Sequence, residues 1–243
     1  MVATPQPEQM MTDTVAAVRR EPAEPVRAPD LETLGLALDR PLVIVDVDEV
    51  LGLFMEGFGR FLEGRGLELR VDRFALFQNI FRPGEDEHLA LEEGRAHYED
   101  FFRYGCGEMA VTEGAVEALR QIAQDAGVVI LTNAPGQARL ARARWLGRHG
   151  LDYPLILNTG PKGPLAGAMA AQVRGPAAFV DDLLPNLDSV AETAPHVARF
   201  QHVADPRLRP LAPAAPERHT RIDDWNALRV ACLLYTSPSP RDS

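Results

Sequence analysis

The chain has 243 residues, of which 46% are hydrophobic and 25% are charged, and these proportions are typical of a globular protein with a hydrophobic core. The formal net charge of −10 argues against a nucleic-acid partner, because a site that binds a phosphate backbone needs clustered lysines and arginines. The two cysteines and six histidines form neither a disulfide framework nor a zinc-binding pattern. Because the sequence has no apolar run of about 20 residues and no signal-peptide pattern, we expect no membrane association and a cytoplasmic location.

The two ends of the chain differ in composition from its middle. Residues 1–30 are rich in Pro, Ala, Glu and Thr without an apolar period, which predicts a disordered segment. Residues 231–243 resemble translated sequencing-adapter read-through, so we predict a non-native tail and leave the native C-terminus open. The part between them is expected to fold as an α/β core, formed by 31–51 and 110–230, with an insert over 52–109.

Short apolar runs that alternate with helical patterns predict the fold of the core. Runs without polar alternation are typical of strands that are buried on both faces, as in a parallel sheet. Strands that alternate with helices predict a doubly wound parallel sheet with helices on both faces. The predicted strands are 41–46, 128–132 and 177–181, with weaker candidates at 154–157 and 197–200; the predicted helices are 113–126, 137–149 with Pro135 as a first helical residue, 163–173 and 184–194.

The insert carries eight of the ten phenylalanines of the chain, and two triplets of them have helical spacing. We therefore predict a small helical cap whose aromatic side chains form its own core, with some of them available to line a substrate pocket. The eight residues are Phe54, Phe58, Phe61, Phe74, Phe77, Phe81, Phe101 and Phe102, and the first three and the next three are the triplets.

Acidic residues follow two of the predicted buried strands. Asp46 and Asp48 come at the end of the first strand, where a carboxylate can attack phosphorus and a second acid can protonate the leaving oxygen. Asp181 and Asp182 end a later strand and supply the hard oxygen ligands that Mg²⁺ prefers. Asn186 can orient one of these two acids or bind the lysine described next.

Two further segments supply groups that would bind a phosphoryl oxygen. Thr132 and Asn133 end another predicted strand, and a hydroxyl with the adjacent backbone N–H can hold such an oxygen. Lys162 is the only lysine in the sequence and lies between glycine and proline just before a predicted helix. A single lysine in an arginine-rich chain indicates that a compact point charge is needed at that position.

Taken in order, these four motifs resemble the signature of the haloacid dehalogenase-like (HAD) superfamily over residues 41–200. The resemblance implies a Rossmann-like core with a cap, a nucleophile and Mg²⁺ ligand at Asp46, and a general acid/base at Asp48 whose carbonyl also binds the metal. It further implies that Thr132 binds the phosphoryl group and that Lys162 stabilises the charge on the nucleophile and the phosphate. Asp182 aligns with the usual Mg²⁺ ligand and Asp181 would bind the metal directly or through water, and the sequence leaves open which of the two is the direct ligand. The expected activity is a Mg²⁺-dependent phosphohydrolase of the phosphatase branch that acts on a small phosphorylated metabolite through an aspartyl-phosphate.

The sequence leaves several alternatives open. Glu49 stands where many members of the family have a small residue, and its carboxylate could reshape or weaken phosphate binding. The chain could therefore be a non-catalytic module that binds Mg²⁺ and phosphate. The motifs also resemble those of nucleotidases, and a phosphomutase or a dehalogenase would use the same nucleophile, although the acid at Asp48 argues against a dehalogenase. Neither the substrate nor the oligomeric state follows from the sequence.

Overall fold

The computed structural model describes residues 28–236. Of the segment expected to be disordered, 1–30, residues 1–27 lie outside the described residues, as do the final residues of the expected tail, 237–243. Within the part that is described, no helix is both long and apolar enough to cross a bilayer.

A parallel sheet forms the centre of the described structure, and helices separate its strands along the chain, except for the last two strands. The elements are β1 (Leu42–Val45), α1 (Phe54–Glu63), β2 (Glu68–Leu69), β3 (Ile80–Phe81), α2 (Leu91–Tyr104), α3 (Ala115–Asp125), β4 (Gly127–Asn133), α4 (Arg139–Arg148), β5 (Leu155–Asn158), α5 (Gly163–Ala170), β6 (Ala177–Asp181), α6 (Leu184–Thr193), β7 (Ala198–Gln201), β8 (Thr220–Arg221) and α7 (Trp225–Thr236). The spatial order of the strands in the sheet is β5-β4-β1-β6-β7-β8, and each neighbouring pair is parallel. The chain therefore winds outward from β1 in one direction and then in the other, which confirms the predicted doubly wound fold.

Strand β1 shows why the apolar runs predict the sheet correctly. All four of its side chains are buried, and successive residues point to opposite faces of the sheet. Val43 and Val45 pack in a hydrophobic cluster with α3 and the insert, whereas Leu42 and Ile44 pack in a second cluster with α5 and α6. Because both faces are covered, only the strand ends are left to carry polar groups.

The insert between β1 and α3 packs on the same face of the sheet as α3. Its aromatic side chains, except Phe81 and the exposed Tyr104, belong to one hydrophobic cluster together with Val43 and Val45 of β1. Phe58, Phe101 and Phe102 have no exposed surface, as expected for side chains that form a core.

The second phenylalanine triplet is not helical, and this part of the prediction is wrong. Residues Phe77–Asn79 form a single 3-10 turn, and Ile80–Phe81 form β3, which pairs antiparallel with β2. The buried side chain of Asn79 donates to the carbonyls of Arg73 and Ala75, which stabilises the turn. A turn followed by a strand buries Phe77 and Phe81 as well as a helix would, so their spacing did not distinguish the two.

Two further boundaries differ from the prediction. Pro135 is extended, with ψ of 143°, and a 3-10 turn at Gly136–Ala138 precedes α4, so Pro135 is not a helical residue. Helix α7 runs across the expected boundary at residue 231, and Cys232 within it is buried. The last element therefore includes the first residues of the segment that resembles adapter read-through, and the origin of that segment stays a prediction.

Candidate active site

The carboxyl end of β1 presents two aspartates because the chain turns sharply there. The N–H of Asp46 donates to the carbonyl of Val180 at 3.0 Å, which joins the end of β1 to β6. The carbonyl of Val47 then accepts the N–H groups of Leu51 and Gly52, both at 2.9 Å, so the strand ends in a tight turn. Asp46 is 5% exposed and lies at the edge where ligands bind in such sheets.

Lys162 lies between two of the predicted aspartates. Its Nζ is 2.7 Å from Asp46 Oδ1 and 2.7 Å from Asp181 Oδ2, and the lysine has no exposed surface. The contact with Asp181 is a hydrogen bond, whereas Asp46 Oδ1 is paired with the amine without an aligned hydrogen bond. These two carboxylates raise the pKa of Lys162 even though burial alone would lower it, so the amine is charged.

Glycine at position 163 allows the lysine to enter the site. A Cβ at Gly163 would lie 2.1 Å from the carbonyl oxygen of Ser189 in α6, a distance that the backbone cannot accept. The N–H of Gly163 also donates to Ser189 Oγ at 3.1 Å. The close approach of α5 to α6 therefore fixes the position of Lys162 directly before α5.

Asp181 is fully engaged by hydrogen-bond donors. Its Oδ1 accepts the N–H of Leu183 at 3.0 Å and Asn186 Nδ2 at 2.9 Å, and its Oδ2 accepts Lys162. Asn186 therefore orients an aspartate and does not bind the lysine, which decides between the two roles predicted for it. Burial raises the pKa of Asp181 to about 6 against the opposing effect of Lys162.

Asp182 differs from Asp181 because no donor among the described residues reaches its carboxylate. The side chain is nonetheless buried, and burial, followed by the charges of Asp181 and Asp46, raises its pKa well above the ordinary value. Carboxylate oxygens of Asp46, Asp181 and Asp182 all lie within 4.8 Å of one another. A carboxylate that is buried without a donor and faces two others is the arrangement that a hard cation would stabilise.

Thr132 and Asn133 end β4 beside this cluster but make different contacts. The hydroxyl of Thr132 is completely buried and has no hydrogen-bond partner, so it is available to a ligand. The side chain of Asn133 instead donates to the carbonyl of Gly160 at 3.0 Å and accepts from Asn158 Nδ2 at 2.8 Å. Asn133 thus holds the loop before Lys162, and binding of substrate by Asn133 stays a prediction.

Asp48 has an ion-pair partner that the sequence analysis missed. Arg142, from α4, donates through Nη2 to Asp48 Oδ1. The arginine side chain has no exposed surface, whereas that of Asp48 is 20% exposed. One signal was present in the sequence: Arg142 shares a helical face with the buried residues Ala138 and Trp145, where a charged residue is unusual. Burial raises the pKa of Asp48, and the charge of Arg142 opposes that rise.

Glu49, the departure from the family pattern, is held by backbone groups. It has a positive φ of 57°, and its carboxylate accepts the N–H of Met55 at 2.7 Å and the N–H of Asp205 at 3.0 Å. The first contact provides an acceptor for a backbone N–H in the first turn of α1, and the second joins Glu49 to the loop of the core that contains Asp205. Glu49 therefore links the insert to the core, and burial raises its pKa to about 7.

The charge balance of the site fits a divalent cation. Within the residues described, three of the four aspartates of the predicted motifs contact either Lys162 or Arg142, so two negative charges remain when all four are ionised. Asp46 and Asp182 each keep oxygen atoms that no aligned donor occupies. Carboxylate oxygens in this number suit Mg²⁺, so the residues present fit the predicted metal.

Comparisons with known proteins identify the fold. No protein-family model and no curated protein matches the chain. Among solved structures, a Bacillus subtilis protein described as a HAD hydrolase bound to magnesium is 13% identical, has a TM-score of 0.55, and is matched over 79% of this chain and 98% of its own. A haloacid dehalogenase-like family hydrolase from Streptococcus pneumoniae is 11% identical, with a TM-score of 0.54, over 79% of this chain and 98% of its own.

A third solved structure carries a more specific description. A Lactobacillus plantarum protein described as a phosphoglycolate phosphatase is 15% identical, with a TM-score of 0.50, over 78% of this chain and 97% of its own. These similarities lie in the fold, and they confirm the HAD-like fold that the four motifs indicate.

Proposed function

We propose that this chain, which has the fold of the HAD-superfamily hydrolases, is a Mg²⁺-dependent phosphohydrolase that acts on a small phosphorylated metabolite through an aspartyl-phosphate. The observation that carries the proposal is the buried amine of Lys162, placed 2.7 Å from the carboxylate of Asp46 and 2.7 Å from that of Asp181. A carboxylate that attacks a phosphate meets like-charge repulsion, and a fixed cation at the point of attack lowers it.

The first half of the reaction is the transfer of the phosphoryl group to Asp46. A carboxylate oxygen of Asp46 bonds to phosphorus while the bond from phosphorus to the leaving oxygen breaks, and its electron pair stays with the leaving oxygen. Asp48 gives that oxygen a proton, so the leaving group departs as a neutral alcohol. In this proposal the phosphoryl oxygens are bound by the hydroxyl of Thr132, which has no hydrogen-bond partner, and by the amine of Lys162, which contacts Asp46.

The second half returns Asp46 to its starting state. Asp48, now ionised, takes a proton from a water molecule as the water oxygen bonds to phosphorus. The bond between phosphorus and Asp46 breaks, and inorganic phosphate leaves. Mg²⁺ bound by Asp46, Asp182 and the carbonyl of Asp48, with Asp181 beside them, would neutralise the charge that develops on the phosphoryl oxygens.

The test is phosphate release from a panel of phosphorylated metabolites that includes nucleoside monophosphates, with Mg²⁺ and with EDTA. Asp46→Asn keeps the size of the side chain and removes the nucleophile, and Asp39→Asn, at an exposed site, is the matched control. We expect Mg²⁺-dependent release that is lost in Asp46→Asn and kept in Asp39→Asn. A folded protein that binds Mg²⁺ and releases phosphate from none of the panel would contradict the proposal and favour the non-catalytic binding module.

A further inference from the structure

Arg142 is buried with fewer acceptors than its guanidinium requires. It has five N–H donors, yet its one charged partner is Asp48. Its Nη1 reaches only the sulfur of Met109 at 3.5 Å, a weak acceptor, and its Nε has no partner. Its Cζ lies 5.0 Å from the ring centroid of Phe102, a residue of the insert. Such a poorly satisfied buried cation contributes little to stability, so its presence calls for another role.

The contact fixes one oxygen of Asp48 and leaves the other available. Oδ1 accepts Arg142, and no donor among the described residues reaches Oδ2. Of the two partners, only Asp48 has exposed surface, so the aspartate is the member of the pair that a substrate can approach.

The carboxylate of Asp48 also stands apart from those of Asp46, Asp181 and Asp182, since it does not belong to their group within 4.8 Å. In-line attack by Asp46 puts the leaving oxygen on the far side of phosphorus. A group that protonates this oxygen must therefore lie away from the nucleophile, as Asp48 does.

We propose that Arg142 is a positioning residue that acts through Asp48: by holding Oδ1 it directs Oδ2 toward the leaving oxygen. The proton then passes from Oδ2 to the leaving oxygen in the first half-reaction and returns to Oδ2 from water in the second. This role rests on the proposed function. It assigns a part in the proton transfer to a helix, α4, that carries none of the four motifs.

The test compares how quickly two kinds of leaving group are released in the first turnover. An alkyl phosphate needs a proton on its leaving oxygen, whereas p-nitrophenolate departs from p-nitrophenyl phosphate without one. We expect Arg142→Met to slow the first turnover of the best alkyl phosphate in the panel about 100-fold, the lower end of what a general acid contributes. The first turnover of p-nitrophenyl phosphate should slow by less than about 5-fold. Arg142→Lys should recover part of the loss, and Asp48→Asn should show the same difference between substrates.

Two controls separate positioning from a structural role. Arg144→Met, two residues further along α4 and on its exposed side, should leave both rates unchanged. An equal loss on both substrates in Arg142→Met would mean that the arginine only supports the fold, and the proposal would be overturned. The double variant with Asp48→Asn should lose no more activity toward the alkyl phosphate than Asp48→Asn alone, since the arginine acts only through the aspartate.

Urea unfolding of four proteins, the wild type, Arg142→Met, Asp48→Asn and the double variant, gives a readout that does not depend on turnover. The unfolding midpoints of the two single variants and the double variant should be non-additive, and additive midpoints would show that the pair does not form in solution and overturn the proposal. If the midpoints are non-additive but the wild type hydrolyses nothing, the proposed function is overturned, and the role of Arg142 in proton transfer with it. If the wild type turns over and Arg142→Met loses equal activity on both substrates, only the role of Arg142 is overturned.

Discussion

Replacing Lys162 with methionine is the perturbation whose effect the structure defines best. The variant keeps most of the side-chain volume but removes the charge that lies 2.7 Å from both Asp46 and Asp181. All three side chains are at most 7% exposed, so water cannot replace the lost cation. Removing one partner from a buried ion pair destabilises a protein by about 3 to 5 kcal/mol, and we expect a loss in that range without Mg²⁺.

The same variant should lose activity for a related reason. The amine is aimed at the point where the carboxylate meets the phosphate, and loss of one such stabilising group lowers kcat by about 100- to 1,000-fold. The loss of stability should also depend on pH. Burial raises the pKa of Asp181 even against the charge of Lys162, so without the lysine the variant should recover stability as the pH falls toward 5 and the folded state takes up a proton at Asp181.

The assay is urea unfolding in EDTA at pH 7.5 and at pH 5, together with phosphate release in Mg²⁺. Arg60→Met is the control, because Arg60 pairs with Glu56 at 3.4 Å on the surface of α1, where 54% of its side chain is exposed. Surface pairs of this kind contribute about 1 kcal/mol or less. If Lys162→Met were as stable as Arg60→Met at pH 7.5, or kept more than about a tenth of the wild-type kcat, Lys162 would not have the electrostatic role argued above.

Three other variants test separate parts of the site. Asp182→Asn removes a buried carboxylate that lacks a donor, so it should raise the melting temperature in EDTA. It should also abolish the increase in melting temperature that Mg²⁺ gives the wild type, whereas Asp39→Asn should change neither quantity. Because its pKa is raised to about 7, Glu49 is protonated at a higher pH in the folded state than in the unfolded state. The wild type should therefore lose stability as the pH rises from about 4.5 to about 7, and urea titrations of Glu49→Met should show a smaller change of stability with pH. Gly163→Ala puts a methyl group 2.1 Å from a backbone oxygen and should lower both stability and kcat, whereas Gly136→Ala, with open space around it, should be neutral or slightly stabilising. A normal kcat in Gly163→Ala would mean that Lys162 reaches the site without the close approach of α5 to α6.

The sequence predicted the sheet and the cluster of aspartates for one physical reason. Buried parallel strands appear in a sequence as continuous apolar runs, and the carboxyl ends of the strands lie at one edge of the sheet. Polar residues that directly follow such runs are therefore neighbours in space, even though Asp46 and Asp181 are far apart along the chain. The contacts of Lys162 with both aspartates follow from the same geometry, because Lys162 comes after the carboxyl end of β5, at the same edge of the sheet.

The pairing of Arg142 with Asp48 and the hairpin of the insert could not be predicted in this way. Periodicity places Arg142 on a buried face of α4 but does not say which acid, 94 residues earlier, meets it. The spacing of Phe77 and Phe81 fits a helix as well as the turn and strand that they form. Both features depend on how separate elements pack against each other, which a local pattern does not contain.

The presence of a single lysine in the chain has a practical consequence for labelling. Every other basic side chain, apart from histidine, is a guanidinium, so reagents that acylate primary amines can react only at the N-terminal amine and at Lys162. The latter is fully buried and its pKa is raised, so it presents almost no neutral amine to a reagent in solution. Mass spectrometry of protein acylated with and without Mg²⁺ and phosphate would thus report on the opening of the site through one peptide, without any engineered probe.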